Sequence, residues 1–220
     1  MTPPLPNRPN ISNDLCHIIR QDIMSGSLKP ASRINEVHLA DKLSVSRTPL
    51  REALSSLTAE GLLDWAPRRG FFVKPLSIEE VQQLYPLRPM LDAQALRMAG
   101  IPDRASITEL RQINRRMTVP GKKAIEVVDL DNDWHRLLLA HCPNRILIGF
   151  IEHVIRLTRR YEYAWLGEMN GVDTATGEHE AILTALEQED LPEACNLLRK
   201  NLTTAQSPII EWLQQREAES

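Results

Sequence analysis

Two helical patterns joined by a very short connection are the strongest constraint on how this chain folds. The stretch INEVHLADKLS, residues 34–44, has apolar residues on one helical face and ends at a sharp polar turn; these residues are Val37, Leu39, Ala40 and Leu43. About three residues later, Ser46 can cap a second helix, SRTPLREALSSL, whose first turn tolerates Pro49. Two helices with so tight a connection predict a helix-turn-helix unit.

The flanking segments extend this unit in both directions. An amphipathic pattern, NDLCHIIRQDIMSG, precedes it, and Gly26 stands where that helix would stop. After it, LLDWAPRRGFFVKPL contains two short β-prone runs around APRRG, which predicts a hairpin with arginines and a glycine at its tip. The order of helix, helix-turn-helix and two-stranded wing predicts a winged helix-turn-helix domain over residues 11–75.

The charges at the start of the second helix oppose its dipole. Arg47 and Arg51 share one face in the first turns, where the macrodipole favours acidic residues. A helix N-terminus with free N–H groups, two arginines, Ser46 and Thr48 forms an anion-binding end, and DNA is the polyanion that fits it. An ordinary solvated face is the alternative, but the basic residues recur at the hairpin tip.

Composition separates the chain into two parts with different partners. Of its 220 residues, 42% are hydrophobic, which is typical of a soluble protein with a substantial core. Residues 1–75 hold a net charge of +3, and the remaining residues hold −6.

We find no apolar run of about 18 residues and no secretion signal, so we expect a cytoplasmic protein without a membrane partner. The three cysteines lack CxxC spacing and signal neither disulfides nor a cysteine zinc site.

Beyond Pro75 the sequence shows only helical periodicity. This predicts an antiparallel all-α bundle over residues 76–220. Residues 1–10 are predicted to be a disordered tail. The helices are predicted near residues 77–99, 105–117, 122–141, 144–169, 174–188 and 191–216.

Four polar residues in these helices are candidates for binding a ligand. In DLDNDWHRLL, Asp131 and His135 lie one helical turn apart, so a carboxylate and an imidazole can share one cation. His179 begins another amphipathic helix, and Asn201 lies on the matching face of the next one. Taken alone, each also fits an ordinary surface or hydrogen-bonded core position.

The N-terminal sequence resembles the DNA-binding domain of GntR-type bacterial transcription regulators. The resemblance rests on the Glu-x-x-Leu-Ala motif, the VSRTPLREAL segment and the Arg-Gly at the wing. Ala31 and Leu50 depart from the pattern, which has glycine and valine there. The resemblance implies DNA contacts by Arg33, Ser46, Arg47, Thr48, Arg51, Arg69 and Gly70.

The C-terminal sequence resembles the FadR-type ligand-binding domain called FCD. The marks are LYPLRPMLDAQALRMA, DLDNDWHRLL with PNRIL, and EHEAILTALEQEDLPEACNLLRKNL. The resemblance implies a divalent transition metal such as zinc, bound by an Asp-x3-His pair and further histidines, and a small carboxylate bound by the metal and an arginine. The implied metal ligands are Asp131, His135 and His179, and the implied effector site adds Arg88 and Asn201.

Asn201 replaces the expected last histidine, and an amide is a weak ligand for a transition metal. Effector binding with and without metal therefore both stay open.

Together these features predict a dimeric transcription regulator that binds a near-palindromic operator in double-stranded DNA. We expect a repressor that a small organic acid releases from DNA. One alternative is a sensor for a fatty acyl ligand. Another is a metal-dependent enzyme with an accessory DNA-binding module, but no nucleophile or general base accompanies the candidate metal ligands.

Overall fold

A computed structural model of the chain describes residues 11–168 and 175–218. The predicted tail, residues 1–10, lies outside the described residues. The chain divides into two compact units, and the division falls between Pro75 and Leu76. None of the described helices is long and apolar enough to cross a membrane.

The N-terminal unit is a winged helix-turn-helix, which confirms the predicted fold. Its antiparallel hairpin pairs Leu63 with Val73 and Ala66 with Gly70. Its elements are α1 (Ile11–Met24), α2 (Glu36–Lys42), α3 (Arg47–Ala59), β1 (Leu63–Ala66) and β2 (Gly70–Val73).

Capping and burial explain how α2 and α3 are positioned. The Asn35 side chain caps α2 by accepting a hydrogen bond from the backbone N–H of His38. Ser46 occupies the N-cap position of α3, but its hydroxyl makes no capping bond there. One side of α3 is fully buried and packs on α1, through Leu50, Ala53, Leu54 and Leu57. The opposite face of α3 is therefore presented to solvent.

The C-terminal unit is a helical bundle, as predicted, but it has more helices than the periodicity indicated. Its elements are α4 (Ile78–Leu84), α5 (Leu87–Ala99), α6 (Arg104–Met117), α7 (Ala124–Leu138), α8 (Arg145–Glu168), α9 (Thr176–Glu187), α10 (Leu191–Thr203) and α11 (Gln206–Ala218).

Prolines account for the two additional breaks. The predicted helix over residues 77–99 ends at Leu84 and restarts at Leu87, because Pro86 has no N–H and its ring crowds the preceding turn. The predicted helix over residues 191–216 breaks near Thr204 in the same way. Pro208 lies in the first turn of α11 and cannot donate to the carbonyl of residue 204. Hydrophobic periodicity continues across both breaks and conceals them.

The core of the C-terminal unit surrounds polar residues as well as apolar ones. Trp134 of α7 is fully buried in a cluster of apolar side chains from α5 to α10. Several ionisable or amide side chains lie in the same interior, namely Arg88, Asp92, Asn114, Asn132, His135, His179 and Asn201. Buried polar groups are costly unless they are paired, so this region is the natural place for a ligand.

Ala31, in the turn before α2, has a backbone conformation that can be tested by substitution. Ala31 has a φ of 61°, in the left-handed region that disfavours a residue with a Cβ, and its N–H donates to the carbonyl of Val73 at 3.0 Å. We expect Ala31→Gly to raise the free energy of unfolding by about 1 kcal/mol, measured by urea denaturation.

Ala181→Gly is the matched control, because Ala181 is an exposed residue inside α9. It should lower the free energy of unfolding by about 1 kcal/mol. A destabilising effect of Ala31→Gly would contradict the left-handed conformation.

Candidate functional site

The start of α3 brings together four of the residues predicted to contact DNA. Ser46, Arg47, Thr48 and Arg51 are all exposed, and the first turn of α3 contains no acidic residue. The free backbone N–H groups of this turn add partial positive charge. This end of α3 is therefore a surface suited to an anion.

Glu36 joins this surface to the neighbouring segments. Its carboxylate pairs with the guanidinium of Arg51 at 3.1 Å. Arg33 and Arg47 line the same shallow cleft of about 310 Å³ as Glu36. A side chain at Gly70 would begin 3.6 Å from the Glu36 carboxylate, so the wing approaches the cleft closely. The structure thus gathers Arg33, Arg47, Arg51 and Gly70 around one carboxylate.

The tip of the wing carries further basic residues of the surface that is predicted to contact DNA. Arg68 and Arg69 are exposed in the turn between β1 and β2. The guanidinium of Arg69 lies over the ring of Phe72, 5.2 Å from its centroid. Gly70 has a φ of 88°, which explains why glycine stands at the end of the turn. Arg69 does not line the cleft around Glu36.

In the C-terminal unit, the structure brings Asp131, His135 and His179 together. One ligand atom from each lies within 4.8 Å of the other two. The Asp131 carboxylate is 3.8 Å from Nε2 of His135 and 3.5 Å from Nε2 of His179. A tetrahedral zinc ion holds its ligand atoms about 3.4 Å apart, so a small contraction would close this site around a cation.

Two neighbours fix the orientation of His179. Its ring stacks on Trp134, with centroids 3.8 Å apart and planes 5° from parallel. Its Nδ1 is 2.9 Å from the amide oxygen of Asn114, which only accepts hydrogen bonds. Nδ1 therefore carries the proton and donates it to Asn114. Nε2 keeps its lone pair, has no hydrogen-bond partner among the described residues, and faces Asp131.

Burial sets the charges of this cluster. It lowers the pKa of His179 to about 3 and the pKa of His135 well below its usual value. Both imidazoles are therefore neutral near pH 7, and their approach to Asp131 is not an ion pair. Loss of hydration, with repulsion from Glu162, raises the pKa of Asp131 to about 7 even though Arg88 is nearby. Neutral imidazoles and a carboxylate that forms no ion pair with a cationic side chain of the described residues suit a divalent metal.

Arg88 lies in the same interior but already has partners. Its guanidinium donates to the carboxylate of Asp92 at 3.2 Å and to the amide oxygen of Asn132 at 3.5 Å. Its own exposure is only 6%. The bond to Asp92, one turn along α5, holds the guanidinium in a defined direction.

Several of these groups line one cavity of about 560 Å³. Its polar wall is formed by Tyr85, Arg88, Asp131, His135, Thr158, Glu162, Glu178, Asn201 and Thr204, and the rest is largely apolar. Asn201 donates its amide N–H to Glu178 at 2.8 Å, and its oxygen has no hydrogen-bond partner among the described residues. The predicted effector residues Arg88, Asp131, His135 and Asn201 therefore line one cavity, and His179, which does not line it, lies 3.5 Å from Asp131.

Sequence reasoning missed several members of this site, among them Glu178, Glu162 and Asn114. Glu178 directly precedes His179, so its position beside the cluster could have been noticed. Glu162 lies on a helix whose apolar repeat predicts an ordinary bundle position. Asn114 belongs to α6, which is distant in sequence from the other residues, and no local pattern indicates that it contacts His179.

Two family patterns match this chain. That of bacterial regulatory proteins of the gntR family covers residues 11–73. That of the FCD domain covers residues 83–204, more than half of the chain. The chain belongs to the GntR family and carries an FCD domain.

Named relatives agree with this assignment. The chain is 38% identical over 135 residues to the Nta operon transcriptional regulator of Aminobacter aminovorans, covering 60% of this chain and 63% of that protein. It is 25% identical over 188 residues to the HTH-type transcriptional repressor RspR of Escherichia coli, covering 84% of this chain and 82% of that protein. The chain spans less than two thirds of the length of some curated relatives that it matches.

A solved structure supports the same family. The GntR family member from Pseudomonas syringae pv. tomato superposes with a TM-score of 0.59 at 26% identity, covering 95% of this chain and 88% of that one. The matched families and the named relatives are transcription regulators, which argues against the enzyme alternative.

Replacing Asn201 with a stronger metal ligand tests whether residue 201 reaches the metal. Because imidazole binds zinc far better than an amide does, we expect Asn201→His to raise zinc affinity at least about tenfold. The affinity would be measured by competition with a chromophoric chelator.

Asn196→His is the control, because Asn196 is exposed on the same helix, α10, and does not line the cavity. It should leave zinc affinity within about twofold of the unmodified protein. Equal zinc affinities of the Asn201→His and Asn196→His proteins would show that residue 201 does not reach the metal.

Proposed function

We propose that this GntR protein is a repressor that binds a near-palindromic operator as a dimer and leaves it when a small carboxylate effector enters the FCD cavity. The observation that carries the proposal is the pairing of a basic helix start in one unit with a polar cavity in the other.

The DNA contact is assigned to α3 and the wing. In helix-turn-helix docking, the N-terminal part of the second helix enters the major groove, where an arginine donates two hydrogen bonds to guanine. Arg47 and Arg51 occupy that part, and the pair with Glu36 holds Arg51 in place before DNA arrives. Arg33, Ser46 and Thr48 would then bond phosphates or base edges. Arg69 and Gly70 would bring the wing to the backbone or minor groove.

Dimerisation is assigned to the C-terminal unit. Ile146 and Phe150 lie four residues apart on α8 and are exposed by 75% and 60%, and Met90 on α5 is exposed by 60%. Large apolar side chains exposed at helical spacing are typical of a surface that another protein covers. A second copy of the chain is the occupant that a two-fold operator requires.

The cavity is assigned to a metal and an effector. Asp131, His135 and His179 would hold one divalent transition metal such as zinc. The metal would supply positive charge for an effector carboxylate, and Arg88 would supply a second cation with directed donors. Asn201 lies beside them and would contact the effector rather than the metal.

Regulation follows from differential binding. An effector that binds one arrangement of the dimer better shifts the population toward it, and coupling of about 1–3 kcal/mol changes operator affinity about 5- to 150-fold. The relative RspR is named a repressor, which favours release of DNA by the effector. Such a protein would act in the cytoplasm, where its operator lies.

The DNA assignment predicts the effect of two substitutions. Arg47→Ala and Arg51→Ala should each weaken binding about 10- to 100-fold at physiological salt, because each loses a bidentate base contact or a phosphate contact. Binding would be measured by fluorescence anisotropy on an operator selected from random DNA.

Arg115→Ala is the control, because Arg115 is an exposed arginine of α6 in the other unit. Its operator affinity should be unchanged. Affinities of both α3 variants within twofold of the unmodified protein would mean that α3 is not the reading helix.

The dimer assignment predicts dissociation when charge enters the apolar surface. Ile146→Asp with Phe150→Asp should shift the protein to monomers in sedimentation velocity, since two carboxylates would lose hydration on association. Val119→Asp places the same charge at another apolar position, exposed by 52%, and should leave the dimer intact. An unchanged dimer in the double variant would place the interface elsewhere.

A further inference from the structure

The cavity of the FCD domain is lined by more acidic than basic side chains. Its wall contains three carboxyl groups, Asp131, Glu162 and Glu178, and one guanidinium, Arg88. That guanidinium is already paired with the buried carboxylate of Asp92.

A bound metal corrects only part of this imbalance. A divalent cation on Asp131, His135 and His179 would leave one positive charge there, and the pair of Arg88 with Asp92 is neutral. Glu162 and Glu178 would still give the cavity a net negative charge. An effector with only carboxylate charge would add to this excess in a place with little water, where repulsion is strong.

We propose that the effector carries an ammonium group next to its carboxylate, so that it is an α-amino acid or a close derivative with an apolar side chain. The inference rests on the proposed function, in which this cavity binds a small carboxylate. Arg88 and the metal would bind the carboxylate, and Glu162 would bind the ammonium.

Unpaired polar atoms in the wall support this assignment independently of the charge count. Tyr85 is 4% exposed and Asn201 is 8% exposed, and both line the cavity. The hydroxyl of Tyr85 and the amide oxygen of Asn201 have no hydrogen-bond partner among the described residues. An ammonium offers three donors and a hydroxyl only one, so an amino acid can satisfy both a carboxylate and an amide oxygen.

Burial acts on Glu162 more strongly than its present partners do. Its pKa is raised, although Arg88, Arg159 and side-chain hydrogen bonds with Asn132 and Thr158 all favour the charged form. Glu178 accepts the 2.8 Å hydrogen bond from Asn201. An ammonium beside Glu162 would replace the water that its carboxylate has lost.

The apolar part of the cavity wall determines which side chain the ligand carries. Apolar side chains predominate there, including Met117, Val127, Val128, Trp165 and Leu202. A volume of about 560 Å³ lies within the usual range for small-molecule sites and exceeds what the polar head of an amino acid fills. An aliphatic or aromatic side chain would occupy the remaining space.

Two matched sets of probes test the proposal on the full-length protein by titration calorimetry. One set is L-phenylalanine, L-2-hydroxy-3-phenylpropanoate and phenethylamine, and the other is L-leucine, L-2-hydroxy-4-methylpentanoate and isopentylamine. Within each set the amino acid should bind at least about tenfold more tightly than the hydroxy acid, because a charged donor meets a buried carboxylate. The amine, which lacks the carboxylate, should bind most weakly.

Glu162→Gln should reduce the preference for the amino acid to within twofold, since it removes the charge and keeps the shape. Glu211→Gln, at an exposed position of α11, should keep the preference. Each titration is repeated on zinc-loaded and on chelator-treated protein. An amino acid that only removed zinc would leave the zinc-loaded protein depleted of zinc after the titration.

Hydroxy acids that bind as tightly as amino acids would overturn the proposal even if Glu162→Gln does not fold, since this comparison needs only the unmodified protein. A preference that survives in Glu162→Gln, or no binding of any probe, would overturn it too. If hydroxy acids bind and release operator DNA while amino acids do not, the inference fails and the proposed repressor function stands.

Discussion

Two neutral imidazoles beside a carboxylate with no paired cation set the chemistry of the ligand-binding unit. His135 and His179 cannot neutralise Asp131, because burial keeps both uncharged near pH 7. Trp134 and Asn114 hold His179 so that its free lone pair faces the carboxylate. This cluster therefore suits a cation, and no cationic side chain among the described residues pairs with Asp131. The cavity, its remaining carboxylates and Arg88 are the surroundings in which that cation would act.

A different carboxylate organises the DNA-binding unit. Glu36 lies at the start of α2, pairs with Arg51 on α3 and lies close to Gly70, whose positive φ ends the turn of the wing. Three segments that are separate in sequence thus meet at one point. Glu36 thus places a negative charge beside the exposed guanidinium of Arg51 on the surface proposed to bind DNA.

The sequence predicted much of the fold and part of the site. Helix spacing and the wing pattern predicted the N-terminal unit, because its turns and its arginines are local in sequence. The breaks at Pro86 and Pro208 were missed, since apolar periodicity continues through them. Asp131 and His135 could be found from their one-turn spacing. The contacts of Asn114 with His179 and of Glu178 with Asn201 could not, because tertiary packing alone brings those pairs together.

The transition-metal content of untagged protein, purified without chelator and measured by mass spectrometry, tests the central claim most directly. The account predicts about one metal ion per chain after incubation with zinc, and its loss in Asp131→Asn, because that substitution removes the anionic ligand. Protein that stays free of metal after incubation with zinc would contradict the account. In that case the neutral histidines would be ordinary members of the core.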